Sequence, residues 1–116
     1  MILHICGRSE WPESGDYRAD SLDEVGFIHC ADYGTVHMPA GQFFAGRSDL
    51  VLLVIDPDLL ECPVRWEEAD PPGDNLPWFP HVYGPISRRA VVAVHEFPAG
   101  PDGRFRLPAA LAGNGN

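Results

Sequence analysis

Gly26-Phe27-Ile28-His29-Cys30 is the stretch from which the expected fold is built. A short apolar run carries one imidazole at its centre, opens on a glycine and follows a helix-start pattern, Ser21-Leu22-Asp23-Glu24. Side chains alternate between faces along a strand, so Phe27, His29 and Ala31 share one face while Ile28 and Cys30 share the other. An imidazole in the middle of a buried strand needs partners for both ring nitrogens, or it binds a ligand. Two other segments repeat the arrangement, Ile2-Leu3-His4-Ile5-Cys6 and Phe79-Pro80-His81-Val82-Tyr83. Three imidazoles in three extended segments point to one cleft whose floor they line.

Upstream, Ile2 to Cys6 reads as a strand ended by Gly7, with Ile2, His4 and Cys6 on one face. Ser9 is placed to cap a short helix through Trp11, with Pro12 in its first turn. Tyr17-Arg18 is extended. Ser21 and Glu24 form a capping box for about one helical turn, and Gly26 is its C-cap. Downstream, Thr35 caps a helix over 32–46 that Pro39 and Gly41 break, packing Phe43 and Phe44 into the core. Leu50–Ile55 is continuously apolar and predicts a strand buried on both faces. One helical turn over 56–60 leads to a strand at Val64–Glu67 with Arg65 and Glu67 on the same face. The polar loop of about ten residues from Glu68 to Trp78 is longer than most connections. Phe79–Tyr83 is extended, one turn of helix spans 87–90, and Val91–Phe97 is the last clear strand. Asp102-Gly103 is a turn signal before a short edge strand at Arg104–Leu107, and the final Ala-Gly-Asn tail is loose.

The expected architecture is α+β, with two small, mainly antiparallel sheets around a cleft and short helices. One globular domain covers 1–100, and 101–116 is a C-terminal extension, partly ordered. A chain of 116 residues with 45% hydrophobic content supports one core. The net charge of −9 repels phosphate backbones and excludes generic DNA or duplex RNA binding. All 8 basic residues are Arg. The 3 cysteines, Cys6, Cys30 and Cys62, form no CxxC pair, which argues against a disulfide framework and for a reducing compartment. No stretch has the form of a secretory signal or reaches the roughly 20 apolar residues of a membrane span. The chain therefore reads as soluble and cytoplasmic.

His4, His29 and His81 are the candidate catalytic residues, each set against the commoner role of a core histidine bonded to backbone or carboxylate. Arg18 and Arg65 are candidates for phosphate or carboxylate recognition, or solvated surface groups. Glu67 is a candidate acid or base, or one half of a surface ion pair with an arginine. Tyr83 and Trp66 can offer an aromatic shelf to a ligand. No metal is expected: His-x-Cys matches no common zinc pattern, and His29 and Cys30 point to opposite strand faces. His37 and His95 are surface residues. There is no P-loop and no GxGxxG.

The order of these segments resembles a bacterial family known as domain of unknown function 952. The resemblance is carried by Leu3-His4-Ile5, Glu10-Trp11, Asp20-Ser21-Leu22, Gly26–Cys30, Phe43–Gly46, Leu50–Pro57, Arg65-Trp66-Glu67 and Phe79–Pro85. It departs at Thr35–Gly41, where Pro39 and Gly41 interrupt the family's helix. The family in turn resembles, in fold, the ADP-ribosyltransferases and among them the RNA 2′-phosphotransferases. That resemblance implies a split pair of small sheets around a cleft that holds NAD. It places His4 and His29 at the first two catalytic positions, with His81 or Tyr83 at the third and Glu67 behind. The implied function is a transferase or hydrolase dependent on NAD or ADP-ribose, acting on a small nucleotide-like ligand. The alternative is a non-catalytic nucleotide- or metabolite-binding module on the same scaffold. No protein partner is indicated.

Overall fold

Strand β1 (Ile2–Gly7) is buried along its whole length because both its faces are covered. In the computed structural model, which describes residues 1–112, it lies beside β3 (Leu50–Ile55), and β3 beside β6 (Val91–Glu96). Both pairings are antiparallel, with His4 opposite Leu53 and Leu52 opposite His95. The continuous apolar run of β3 now has its reason. Val51, Leu53 and Ile55 face one core with Ile2 and Cys6, while Leu50, Leu52 and Val54 face a second with Leu3 and Ile5.

The second sheet has the order β2-β5-β4, from β2 (Ile28–His29), β5 (Phe79–Val82) and β4 (Val64–Glu67). Its Ile28 and Val82 close the first core against β1 and β3. The register sets His29 opposite His81, and His81 opposite Arg65, so these three share one face. The two sheets meet at one joint. After His29 the Cys30 amide still donates to the Pro80 carbonyl, but Ala31 has already crossed to β1, exchanging both backbone bonds with Leu3 at 2.7 and 2.8 Å. A second bridge, Tyr17 with Ile86, ties the intervening segment down. Past Leu3 the outer edge of β1 has no strand neighbour among the described residues, and a cleft opens there.

The short helices differ from expectation in their ends. Around Ser9 there is a single 3-10 turn, Arg8–Glu10, held by the Glu10 carboxylate accepting from the Gly7 amide at 2.6 Å. The capping box at Ser21 and Glu24 does not form. Helix α1 (Ser21–Glu24) starts after Asp20, and Ser21 Oγ instead donates to the Phe27 carbonyl at 2.8 Å, fastening the helix to the approach of β2. Gly26 does end that helix, at φ +90°. Helix α2 (His37–Phe43) runs through Pro39 and Gly41 without a break. Pro39 falls in the first turn, where a missing amide costs no intrahelical bond. Thr35 does not cap it; its hydroxyl donates to Asp32 in the preceding turn. Phe44 packs against the second core, whereas Phe43 is 53% exposed and does not. No strand forms at 104–107: Gly100 and Arg104 close a turn, and Phe105 and Leu111 pack into the second core, Leu111 from α3 (Ala109–Ala112). The tail expected to be loose lies, from residue 113 on, outside the described residues.

A histidine-bordered cleft as the candidate functional site

The cleft has a volume of about 490 Å³ and is mostly apolar. The free edge of β1, helix α2, and residues 69–71 of the long loop form its walls, and His4, His29 and His81 all border it. The rings of His29 and His81 stand edge to face, with centroids 5.7 Å apart.

His81 is the best-defined group. It is buried, and Phe27 stacks on its ring at 4.0 Å with the planes 15° apart. Its Nδ1 lies 2.9 Å from Glu67 Oε1. A carboxylate only accepts, so Nδ1 carries the proton and, in the neutral ring, Nε2 keeps its lone pair. Nε2 is buried and, among the described residues, has no hydrogen-bond partner. Glu67 lies outside the cleft lining, and His81 is part of it. The same Glu67 oxygen accepts from the Tyr83 hydroxyl at 2.6 Å. These donors, Tyr83 first and His81 second, hold the Glu67 carboxyl below its ordinary range, and Glu67 raises the Tyr83 phenol in return. The result is a carboxylate fixed by two donors that orients an imidazole.

His29 is half exposed, and its Nε2 meets Asp70 of the long loop at 3.2 Å. His4 is different. Its Nδ1 donates to the His29 carbonyl at 2.6 Å, and its Nε2 accepts from the Tyr17 hydroxyl at 2.9 Å. The carbonyl fixes that tautomer, because it can only accept. Both ring nitrogens are engaged, and burial pushes the imidazole pKa down to about 4. His4 is thus neutral and pins β1 to β2 at the mouth of the cleft; it has no nitrogen left for a ligand.

The other sequence candidates divide. Glu67 and Tyr83 join the His81 network, and Arg65 lies over the Tyr83 ring at 5.2 Å. Trp66 projects from the opposite face of β4, 47% exposed, and Arg18 pairs with Asp23 at 2.5 Å; neither borders the cleft. His37 is exposed and His95 half-buried, both away from the cleft. Tyr17, Asp70, Glu10 and Arg47 border it without having been singled out in the sequence. The unusual length of the 68–78 loop hinted at Asp70; nothing local marks the others.

Burial pushes the Cys6 thiol up to about 12 and also raises Cys30 and Cys62. Among the described residues no group of three or more His, Cys, Asp or Glu side chains can hold a metal ion, and no helix is long and apolar enough to cross a membrane.

Fold and site together define an α+β domain in which two small antiparallel sheets diverge around a histidine-bordered cleft. The family model described as protein of unknown function (DUF952) matches residues 5–94, and the chain belongs to that family. It is similar to the crystal structure of protein CC0527 from Caulobacter crescentus, with 27% identity, a TM-score of 0.80, and 96% of this chain and 97% of that one covered. The solution structure of CC0527 is similar at 26% identity and a TM-score of 0.75, covering 96% of each chain. No curated protein matches the sequence.

Proposed function

We propose that the protein is a transferase or hydrolase that acts in this cleft on NAD or on an ADP-ribosylated or 2′-phosphorylated substrate, on a scaffold of the ADP-ribosyltransferase type. The observation that carries the reading is His81 Nε2, a buried acceptor without a partner, oriented by Glu67 at the wall of a cleft. Burying such an atom unpaired is costly unless a ligand completes it. A carboxylate-oriented imidazole is suited to accept a proton from a water or hydroxyl. In this reading His81 is the acid–base group and His29 contacts the ligand beside it. His4 positions His29 by holding its carbonyl. Arg65, on the histidine face of the second sheet, serves the phosphates, and Tyr83 keeps Glu67 in place.

The cleft fits a nucleoside portion better than a diphosphate, because Arg47 is the cation among its lining residues and Asp49 already holds it. A cytoplasmic setting is part of the same proposal.

A second reading, a non-catalytic nucleotide- or metabolite-binding module, is favoured by the engagement of the nearby carboxylates. Glu67, Asp70 and Glu10 each already have a donor, which leaves no free acid to stabilise a cationic ribose.

Calorimetry and product analysis with NAD and ADP-ribose test both. Binding with turnover, reduced about 10²- to 10⁴-fold by His81→Gln, is expected of the enzyme. Binding without turnover by the wild type selects the module. The absence of heat and of any thermal shift at millimolar ligand removes both nucleotide readings.

A further inference from the structure

We infer that the cleft selects a protonated nitrogen group: its occupant carries a cationic N–H donor on an apolar body, and any phosphate or carboxylate of a larger ligand stays outside. This rests on the cleft being the ligand site proposed above, but not on the ligand being a nucleotide.

Three independent features converge. The first is charge. Besides the imidazoles, the charged residues bordering the cleft are Glu10, Asp70 and Arg47. The Arg47 guanidinium is already bound twice by Asp49, Nε to Oδ1 at 3.0 Å and Nη2 to Oδ2 at 2.7 Å. An entering anion therefore meets two carboxylates and an arginine whose charge is matched; an entering cation meets the reverse. In a mostly apolar hollow these charges are weakly screened.

The second feature is His81 Nε2, which has no partner and belongs to a residue only 2% exposed. In the neutral ring with Nδ1–H facing Glu67, Nε2 is an acceptor. A carboxylate or phosphate dianion has no proton to offer it, whereas an ammonium N–H does, and the Glu67 charge behind the ring strengthens that bond. The third is the wall itself. Tyr17, Phe44 and Phe79 supply aromatic rings that favour cations over anions, and Leu3, Ile5 and Met38 supply apolar surface for the body of the ligand.

One skeleton with three head groups tests the inference on the full chain. Calorimetry and thermal shift are run with 2-phenylethylamine, 2-phenylethanol, phenylacetate and inorganic phosphate. The amine is expected to bind about tenfold or more tighter than the alcohol, with phenylacetate and phosphate unable to compete. Asp70→Asn, at a half-exposed position, weakens the amine about three- to fivefold and leaves the alcohol unchanged. His81→Phe abolishes binding of both. Should that variant not fold, the ¹⁵N resonance of His81 Nε2 in the wild type must move on adding the amine. Phenylacetate or phosphate binding as tightly as the amine overturns the inference, as does failure of the whole series at millimolar concentration. NAD and ADP-ribose in the same assay separate the two proposals. Nucleotides that bind while the amine does not remove this inference alone, and an amine that binds while nucleotides do not removes the nucleotide function alone.

Discussion

His4 and His81 are both buried imidazoles, yet their partners give them opposite roles. His81 has a carboxylate on one nitrogen and nothing on the other; His4 has a carbonyl and a hydroxyl. His4 consequently links stability to pH. Its folded pKa of about 4 lies below the ordinary 6.5, so between those values the unfolded chain binds the proton and the folded chain does not. The stabilising contribution is complete above pH 6.5 and is lost as pH falls through 4, on the order of 3 kcal/mol. His4→Gln should flatten this part of the acid limb, and should also lose about 1–3 kcal/mol at pH 7 through the unpaired Tyr17 hydroxyl and His29 carbonyl. Urea unfolding of both proteins at pH 7, 5.5 and 4.5 checks the two effects. An equal acid slope in the two proteins would contradict the assignment. The sequence displayed all three imidazoles, but their partners come from 13 to 41 residues away and no local pattern announces them.

At the scale of elements, the turn from α1 into β2 aims Phe27 and His29. Both the Val25 and Gly26 amides bond to the Ser21 carbonyl, and Gly26 reaches this arrangement at φ +90°. A Cβ at Gly26 meets nothing within 4 Å, so a substitution there costs only backbone conformation. Gly26→Ala is expected to destabilise by about 1 kcal/mol, and Gly26→Asn by less because Asn tolerates this region. Chemical denaturation of both variants decides this; a neutral Gly26→Ala would mean the turn relaxes. Glycine here was readable from the sequence, as was the doubly buried β3. The capping box was not realised, because the Ser21 hydroxyl found a tertiary acceptor at Phe27. Helix α2 survives Pro39 for a reason of position: in the first turn the missing amide costs no intrahelical bond and no carbonyl of the helix lies in the way of the ring.

Across the whole molecule the two sheets are held by the small Leu3–Ala31 joint and by cores on both faces of β1 and β3. The second core is completed by Phe97 and Phe105, with rings 5.2 Å apart, and by Leu111. Phe105→Ala should therefore cost about 3–5 kcal/mol, comparable to deleting a central core aromatic. Thermal and urea unfolding measure it; a loss under 1 kcal/mol would show that the segment after residue 100 merely rests on the domain.

Most strand positions and the antiparallel α+β class followed from the sequence alone, the strand expected at 104–107 excepted. The alternation of side chains and the placement of glycine and proline are local rules that a chain carries with it. The capture of Glu67 by His81 and Tyr83, the pinning of His29 by His4, and the exclusion of Trp66 and Arg18 from the cleft were decided only by tertiary structure. Register between distant strands sets which groups meet, and hydrogen-bond satisfaction then sets which nitrogen remains open to a ligand.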